Sequence, residues 1–515
     1  MILINSSPKD ALKIFQSFLP ISVPIGVGCL AAALEVQGIA VKIIDEQVEE
    51  NIELRIKEYV ETQPRPLIFG FSVLTVALKS ALILAKRLKA AYPDCIIIFG
   101  GIHPTAMPDE VMAYDYVDFV LRGEAERSLV EFYNALANKA SYASIAGLSY
   151  RAGEKIIHNP YNFITDSLDT YPPFPYHMFA HNPRYDLGFV VSSRGCPYRC
   201  IFCSNRVTTG KKYRHKSSSF VVDELESIHM KYGRNFAIFV DDNLLVSKER
   251  IYSLIEAIKA RGLDKKMTFA FQSRGDNVDE KILRDLFECG FKSIFFGMET
   301  SSEEVMKIIK KDETVAECVA AAKLAKKIGY HLSATFIYGF RGETREDRMN
   351  CVSLSREIGL DMVRYNNATP YPGTELYDIA KKEGRLNVVG VYENLISVST
   401  FIENPFKNIP FSYVPTGVTE DEIRRDILFS YFSFYLNFAR LKPIFAKPGQ
   451  GVGWFNAGDG AKGIVKKLPA LVLLGALLGV KFLKLFYYMV INKTTRVPFG
   501  EFLKVFDGLR RGTDS

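Results

Sequence analysis

Three cysteines within eight positions are the part of this sequence best suited to chemistry. Cys196, Cys200 and Cys203 lie in "RGCPYRCIFCSN", directly after a run of β-branched residues. Intervals this short let one turn aim three thiolates at a common centre, and iron–sulfur clusters favour soft thiolate ligands. Three ligands would leave one iron of a four-iron cluster open to an exogenous molecule. Structural zinc usually takes four protein ligands, and on spacing alone His215 could be the fourth.

The composition indicates a globular chain with room for two or three domains. Of 515 residues, 48% are hydrophobic and 24% are charged. Eight cysteines are too few for a disulfide scaffold, and "MILINSSPKD" lacks the features of a signal peptide, so we expect a reducing cytoplasm. The net charge of +7 is concentrated in residues 441–515, where 12 Lys and Arg stand against 4 Asp and Glu. This distribution argues against a protein-wide nucleic-acid surface.

Residues 1–150 alternate strand-like and helical patterns. The predicted strands are "MILINSS", "AVKIIDE", "PLIFGFSV", "DCIIIFGG" and "VDFVLRGE". Continuous Ile, Val and Phe runs separated by amphipathic helices are typical of a parallel sheet covered on both faces. Ligands of such sheets bind beyond the carboxyl ends of the strands. Here "FSVLT" (71–75) and "GGIHPT" (100–105) place small and hydroxylated residues at those ends.

The alternation of predicted strands and helices stops after the first domain and begins again at residue 188. Residues 151–187 are predicted to be a linker, since prolines at 160, 172, 173, 175 and 183 forbid a long helix. Residues 188–375 then contain six candidate βα units, which predict a partial parallel barrel with chemistry at the carboxyl ends of its strands. The cysteine cluster follows the first of these strands, in the position where a barrel places its active site.

The C-terminal region, residues 376–515, is predicted to be mainly helical. Thr419 and Glu422 form a capping-box pattern at the start of one helix. The uncharged run Leu468–Val480 has 13 residues, short of the roughly 18 that indicate a spanning helix, and Lys481 and Lys484 follow it. This segment is consistent with a buried core helix, with a basic element at a membrane surface, or with a true span.

The quoted cysteine motif resembles the cluster loop of the radical S-adenosylmethionine superfamily, and the resemblance extends over roughly residues 1–375. It includes the aromatic residue before the third cysteine and four further motifs in the order of that family's barrel strands. They are "IFVDDN" (238–243), "FFGMET" (295–300), "FIYGFRGET" (336–344) and "ATPYPGTELY" (368–377). The resemblance implies a [4Fe-4S] cluster on Cys196, Cys200 and Cys203 whose open iron binds S-adenosylmethionine. In that family the cofactor is cleaved to a 5′-deoxyadenosyl radical, which removes hydrogen from an unactivated carbon.

The same resemblance implies a set of residues that hold S-adenosylmethionine. They are Phe202, Asp241, Asp242, Glu299, Gly339, Gly342 and Glu343. Four of them have a purely structural alternative, because Asp241 and Asp242 could cap a helix and Gly339 and Gly342 could form a tight turn. Arg341 also stands where this family's turn usually has proline, which leaves the details of that contact open.

The N-terminal domain resembles the Rossmann-like cobalamin-binding domains of this superfamily. In those domains a Ser-x-Leu element and a Gly-Gly pair accept the nucleotide tail of the cofactor. The matching candidates are Ser72, Leu74, Thr75, Gly100, Gly101, His103 and Thr105. The Asp-x-His-x-x-Gly motif is absent, which implies cobalamin without a histidine lower ligand. His103 is a possible substitute, although a loop histidine that caps a helix is an equal alternative.

The resemblance implies a cobalamin-dependent methyltransferase, with an oxidative cyclase of the magnesium-protoporphyrin monomethyl ester type as the alternative. A methylthiotransferase would carry a second cysteine triad before the barrel, whereas only Cys29 and Cys95 precede it here. A non-catalytic iron–sulfur or corrinoid sensor is a remote alternative. The apolar, basic tail favours a hydrophobic substrate, such as a hopanoid-like lipid or a chlorin, and a peripheral membrane contact. A ferredoxin or flavodoxin would supply electrons, and no nucleic-acid partner is expected.

Overall fold

The N-terminal part of the chain forms a seven-stranded sheet. This computed structural model describes residues 1–7, 21–161, 166–398, 400, 405–406, 408–437 and 460–507. Its first strands are β1 (Ile2–Asn5), β2 (Ile21–Ser22), β3 (Lys42–Asp45), β4 (Ile68–Ser72), β5 (Ile96–Gly100), β6 (Phe119–Leu121), β7 (Leu148–Ala152) and β8 (Lys155–His158). All but β2 form one sheet in the order β3-β1-β4-β5-β6-β7-β8. The five predicted strands are parallel, so the prediction of an α/β domain is confirmed.

Helices cover both faces of this sheet. They are α1 (Ile25–Glu35), α2 (Ile52–Val60), α3 (Leu78–Ala91), α4 (Ile102–Ala106), α5 (Pro108–Met112) and α6 (Glu126–Ala137). One hydrophobic cluster joins α2 and α3 to the sheet, and another joins α1 and α6 to it. The antiparallel hairpin β7–β8 extends the sheet to His158, beyond the expected domain limit at residue 150. The loop after β1, expected to lack a histidine ligand, lies outside the described residues from Pro8 onward.

The middle of the chain forms a six-stranded parallel sheet. The strands of this part are β9 (Tyr185–Asp186), β10 (Phe189–Val190), β11 (Ser193–Arg194), β12 (Arg214–His215), β13 (Phe236–Phe239), β14 (Thr268–Ser273), β15 (Phe291–Glu299), β16 (His331–Tyr338) and β17 (Met362–Asn367). Strands β10, β13, β14, β15, β16 and β17 are neighbours in chain order, which is the arrangement of a partial (β/α) barrel. All six predicted barrel strands are present. The pairs β11–β12 and β2–β9 are separate two-stranded sheets.

Helices alternate with the barrel strands. They are α7 (Asn205–Thr209), α8 (Ser218–Tyr232), α9 (Lys248–Ala260), α10 (Glu280–Glu288), α11 (Glu303–Ile308), α12 (Val315–Ile328), α13 (Arg345–Glu357) and α14 (Glu375–Lys382). Capping boxes begin two of them, with Thr314 paired to Glu317 and Thr344 paired to Asp347. Each box satisfies backbone N–H groups that the first helical turn leaves unpaired. The local sequence therefore fixes where these helices start.

The segment between the two sheets contacts both of them. Tyr185 donates a hydrogen bond to the Asp45 carboxylate at 2.9 Å, and Tyr176 donates to the carbonyl of Phe189 at 2.9 Å. The Phe174 ring occupies the space beside Gly28 in α1, where an added Cβ would lie 2.3 Å from the ring. Residues 162–165 of the predicted linker lie outside the described part. The linker thus fixes the barrel against the first sheet.

The C-terminal region is helical, as predicted. Its elements are α15 (Glu420–Tyr435), α16 (Gly460–Phe486), a π-helical turn (Tyr487–Ile491) and α17 (Phe499–Leu503). The predicted capping box of Thr419 and Glu422 begins α15. Residues 438–459 and 508–515, and the side chains of 460–471 and 474, are not described. Across the described residues, we find no helix with the combined length and hydropathy that crossing a bilayer requires.

Candidate cofactor sites

The cysteine triad lies on a loop at the carboxyl end of the first barrel strand. Cys196, Cys200 and Cys203 are each partly exposed, and none forms a disulfide. Burial raises the pKa of all three thiols, that of Cys203 to about 12. Within the described ranges, no three His, Cys, Asp or Glu side chains are gathered as ligands of a single ion. A four-iron cluster does not require its ligands to meet at a single ion, because each thiolate binds a different iron.

The backbone around the triad is tied to later parts of the barrel. The Ile201 N–H donates to the Ile309 carbonyl at 3.0 Å, and the Ile201 carbonyl accepts from the Leu376 N–H at 2.9 Å. The rings of Phe202 and Phe340 lie 5.5 Å apart, which joins the cysteine loop to the Gly339–Glu343 turn. His215, the alternative fourth ligand, is exposed on β12 and contacts the Lys216 carbonyl.

The two adjacent aspartates after β13 have different surroundings. Asp241 is buried and accepts hydrogen bonds from the N–H groups of Ser192 and Ser193 at 2.7 and 2.9 Å. It also accepts from the Ser192 hydroxyl at 2.5 Å. Asp241 therefore holds the backbone that leads into the cysteine loop, and both of its oxygens are already used.

Asp242 is the aspartate that remains partly exposed on the cysteine side. Asn205, two residues after Cys203, donates a short hydrogen bond to one of its oxygens. Burial raises the pKa of Asp242 to about 6. Contact of either aspartate with S-adenosylmethionine stays a prediction, and the free oxygen of Asp242 makes it the better placed of the two.

Glu299 lies in a buried ionic network at the end of β15. Its carboxylate is 2.7 Å from the Lys311 ammonium, which also donates to the Gly297 carbonyl at 2.7 Å. Lys311 lies 3.4 Å from Glu313, and Glu313 accepts from the backbone N–H of Gly275 at 3.1 Å. Burial opposes the charge of Lys311, but the nearby carboxylates, Glu299 first, raise its pKa above the usual value.

The network continues beneath the cysteine loop and was not predicted from the sequence. The Arg274 guanidinium is 3.7 Å from Glu313 and lies 3.5 Å from the ring centroid of Tyr198, which is located between the first two cysteines. Lys311 and Arg274 both favour the thiolate form of Cys200. Lys311 and Arg274 could not be predicted as part of the site, because the segments that contain them, "KKDET" and "QSRGD", have the composition of ordinary loops.

The Gly339–Glu343 turn follows β16. Gly339 and Gly342 have φ of 92° and 79°, values that favour glycine. The Gly339 N–H donates to Glu343 at 2.6 Å, and Arg348 lies 3.2 Å from the same oxygen. The other oxygen of Glu343 is buried without a hydrogen-bond partner among the described residues. Burial raises the pKa of Glu343 to about 7, and the exposed Arg341 is directed to Glu383 at 3.5 Å.

The carboxyl ends of β4 and β5 form the predicted cobalamin site. Ser72 is half-buried, Leu74 is exposed and Thr75 is buried. Gly101 has φ of 98°, and an added Cβ would lie 2.8 Å from the Val73 nitrogen. An added Cβ on Gly100 would lie 3.2 Å from the Leu121 carbonyl oxygen. The glycine pair thus brings two backbones closer together than any other residue would allow.

The histidine and threonine of "GGIHPT" both face the protein. His103 has no exposed surface; its Nδ1 is 3.3 Å from the Thr75 hydroxyl, and its ring lies edge-on to Tyr392. Burial lowers the pKa of His103 to about 4, which keeps the ring neutral. Thr105 donates to the Gly101 carbonyl and accepts from the Gly123 N–H. His103 would need its neighbours to rearrange before it could contact an added ligand.

Ion pairs join the cysteine loop to the first domain, and they were not predicted from the sequence. Arg194, two residues before Cys196, lies 2.9 Å from Glu124 and 2.7 Å from Glu126 of the first domain. Arg214, opposite Arg194 on β12, forms a short ion pair with Glu124 as well. The only signal was "RGEAE" (122–126), whose acids stand beside the sheet end that the resemblance assigns to cobalamin.

Helices next to the two sites are in direct contact. Helix α4, which follows the glycine pair, packs against α7, which follows Cys203. A Cβ on Gly373 would lie 2.9 Å from the Val207 side chain and 3.1 Å from that of Ala106. Tyr161 also donates to the Thr208 carbonyl at 2.6 Å. The carboxyl-end loops of the two sheets therefore adjoin one another.

Both the N-terminal domain and the barrel are similar to known protein families. The chain matches the family models for the B12 binding domain over residues 13–133 and for the Radical SAM superfamily over residues 190–354. An uncharacterized methyltransferase of Pyrococcus horikoshii is 30% identical over 419 residues, which cover 80% of this chain and 88% of that protein. The anaerobic magnesium-protoporphyrin IX monomethyl ester cyclase of Cereibacter sphaeroides is 25% identical over 400 residues, 74% of this chain and 62% of the cyclase.

Two further similarities are more distant. The hopanoid C-3 methylase of Methylococcus capsulatus is 24% identical over 394 residues, 74% of this chain and 72% of the methylase. The solved structure of the cobalamin-dependent S-adenosylmethionine radical enzyme OxsB with aqua-cobalamin matches with a TM-score of 0.69 at 17% identity. That match covers 99% of this chain and 76% of OxsB, and it concerns the fold.

Proposed function

Because this chain belongs to the family of cobalamin-dependent radical S-adenosylmethionine methyltransferases, we propose that it methylates an unactivated carbon of a hydrophobic substrate. The observation that carries the proposal is the direct contact between α4 and α7. It makes the predicted corrinoid cleft and the cysteine loop neighbours. A methyl group and a hydrogen-abstracting group must reach the same carbon, so two adjoining sites suit this reaction.

The residues present fit the groups that the family implies. Cys196, Cys200 and Cys203 supply three thiols on one loop, as a cluster with one open iron requires. Gly100 and Gly101 carry no side chain and lie at the carboxyl end of β5, the edge at which parallel sheets of this type bind ligands, so the nucleotide tail of a corrinoid could approach their backbone. When bound, the cluster and S-adenosylmethionine supply hydrogen-atom abstraction, and cobalamin supplies the methyl group.

The chain's own residues orient these groups. Asp241 fixes Ser192 and Ser193 through three hydrogen bonds, and so fixes the start of the cysteine loop. Asp242 offers a carboxylate oxygen on the open side, where it can accept a hydrogen bond from an amino group. The buried Glu299–Lys311 pair fixes the end of β15, two strands further along the sheet. We infer that a ferredoxin or flavodoxin supplies the electron in the cell.

The substrate class is proposed from the tail and from the relatives. Two relatives are named for a hopanoid and for a magnesium porphyrin, both of which are large polycyclic molecules. Residues 472–499 expose several large apolar side chains, which suits a substrate drawn from a lipid phase. We therefore propose a polycyclic isoprenoid lipid or a chlorin.

Anaerobic turnover of extracted lipids and pigments tests this proposal. Full-length protein is reconstituted with iron, sulfide and hydroxocobalamin, then incubated with dithionite, S-adenosylmethionine and each extract. We expect 5′-deoxyadenosine and a product heavier than its parent by one methylene unit. Methyl transfer from deuterated S-adenosylmethionine identifies the product. Formation of 5′-deoxyadenosine with every extract unmethylated would contradict the methyltransferase proposal.

The alternative function is oxidative cyclisation of a tetrapyrrole, which the name of the Cereibacter relative favours. The same experiment separates the two reactions. A cyclase would leave the deuterium of the methyl group out of the product and would change the mass of the tetrapyrrole instead. Absence of 5′-deoxyadenosine from protein that holds iron and sulfide would reject both reactions and favour a sensor.

A further inference from the structure

Exposed apolar side chains are concentrated in the C-terminal helices. Fifteen large hydrophobic residues of the described chain are exposed, and six of them lie between residues 472 and 499. They are Val472, Leu473, Leu483, Tyr487, Ile491 and Phe499. Val472 and Leu483 are each 66% exposed. Exposed apolar side chains mark an interaction surface when they lie together in one patch.

The helical geometry places three of these residues, together with Ala476, on one face of α16 and the π-helical turn that follows it. At about 100° per residue, Val472, Ala476, Leu483 and Tyr487 fall within about 60° of one another. Lys481 points to the opposite side, where it is 3% exposed and donates to the Thr400 carbonyl at 2.7 Å. The sequence suggested that this lysine interrupts the apolar run. Its inward direction instead leaves the outward face apolar.

The inner face of α16 is fixed to the rest of the protein. Leu485 and Met489 have no exposed surface, and the Phe482 ring lies 5.2 Å from that of Phe432 in α15. Helix α15 in turn packs on β17 and α13 of the barrel. The outward stripe is therefore presented by a helix that is anchored on its other side, as expected for a docking element.

Charges near the stripe are mostly positive. Residues 472–507 contain five Lys and Arg and two Asp and Glu. Lys493, Arg496 and Lys504 are exposed, whereas Glu501 is paired with Arg345 at 2.7 Å. Basic side chains near an anionic bilayer are attracted to its negative surface potential. A second copy docked on the same stripe would bring these like charges together, which disfavours a symmetric dimer.

We propose that the outward face of α16 and its π-helical extension docks on the surface of an anionic lipid bilayer. The apolar side chains enter the boundary between headgroups and acyl chains, and the exposed lysines and arginine contact lipid phosphates. The helix lies in the plane of the interface and does not span it. This contact concerns binding alone, so it holds whether or not the enzyme methylates a lipid.

Vesicle flotation tests the contact. Full-length protein is mixed with vesicles of phosphatidylcholine, with or without a minority of phosphatidylglycerol, and centrifuged through a density gradient. We expect flotation with the anionic vesicles, weaker flotation with phosphatidylcholine alone, and release in high salt. The double variant Leu483→Ser, Tyr487→Ser should bind at least tenfold more weakly. Both side chains are exposed, so the thermal unfolding temperature should stay unchanged.

The matched control is Leu54→Ser, Ile83→Ser, which removes two exposed apolar side chains from α2 and α3. It should float like the parent protein. Equal flotation of the parent and the α16 variant would overturn the proposal, as would an equal loss in both variants. No flotation of the parent would overturn it too. A dimer that only the α16 variant loses would assign this face to a second copy.

Discussion

The two predicted cofactor sites are built in different ways. The barrel end relies on charged and polar side chains, such as Asp241, Asp242 and the Glu299–Lys311 pair. The end of the first sheet relies on backbone and small residues, and its one imidazole, His103, is buried. Removing a side chain should therefore damage the barrel site, whereas adding one should damage the site in the first sheet. Substitutions at the two sites test this difference.

The largest effect is expected from the cysteine loop. Cys203→Ala removes one of three thiolates, so the [4Fe-4S] cluster should not assemble, and both iron content and visible absorbance should fall to background after anaerobic reconstitution. Cys29→Ala is the matched control, since Cys29 lies in α1 of the other domain. It should retain the cluster. Equal iron and sulfide in the two variants would show that the triad is not the ligand set.

Adding a single methyl group should force apart the loops that follow β4 and β5, which the resemblance assigns to cobalamin. Gly101→Ala would place a Cβ 2.8 Å from the Val73 nitrogen at φ of 98°. We expect at least a tenfold loss of hydroxocobalamin binding, measured by absorbance after gel filtration, with the iron content unchanged. Gly38→Ala is the control, because its φ of 70° is also positive but an added Cβ meets nothing within 4 Å. Unchanged corrinoid binding by Gly101→Ala would contradict a cobalamin site at the ends of β4 and β5.

The adjacent aspartates should separate stability from cofactor binding. Asp241→Ala leaves the Ser192 and Ser193 donors unpaired and Arg250 without its carboxylate, so unfolding free energy should fall by about 3–5 kcal/mol. Asp242→Ala removes one hydrogen bond and should cost only about 1 kcal/mol. Urea unfolding measures both. In calorimetric titration, Asp242→Ala should bind S-adenosylmethionine more weakly; the reverse pattern would exchange the two roles.

The last effect concerns the pH dependence of stability. Burial raises the pKa of Glu343 from its usual 4.5 to about 7, so the folded state favours the protonated acid. The contribution of protonated Glu343 to the free energy of unfolding is complete below pH 4.5 and is lost as the pH rises through 7. The amide of Glu343→Gln does not titrate. Between pH 4.5 and about 7, the free energy of unfolding of the parent should therefore fall by up to about 3 kcal/mol relative to that of this variant. Parallel unfolding profiles from pH 4.5 to 8 would contradict this prediction.

Much of the fold was predictable because its strands are continuous apolar runs. All six barrel strands and the five parallel strands of the first sheet coincide with such runs. The β7–β8 hairpin was not predicted, since "LSYRAGEKIIH" mixes polar residues with a turn at Gly153 and lacks a helix to separate two parallel strands. Antiparallel edge strands of this kind carry a weaker pattern than buried parallel ones.

Candidate site residues could be named from the sequence where residue type and spacing form a local pattern, and their roles stay predictions. Three cysteines at short intervals and a Gly-Gly pair after a strand are local patterns. Lys311, Arg274 and the Arg194–Glu124 pair could not be found in this way, because their partners lie 12 to 70 residues away. The inward orientation of the Lys481 side chain likewise could not be predicted, because its hydrogen-bond acceptor, the Thr400 carbonyl, is distant in the sequence.

Cleavage of S-adenosylmethionine by the reconstituted protein tests the central claim most directly. Full-length protein and Cys203→Ala are incubated anaerobically with dithionite and S-adenosylmethionine, and 5′-deoxyadenosine is measured by liquid chromatography and mass spectrometry. We expect 5′-deoxyadenosine from the parent protein and none above background from the variant. Protein that holds iron and sulfide on the triad and yet forms no 5′-deoxyadenosine, with or without added substrate extract, would contradict it.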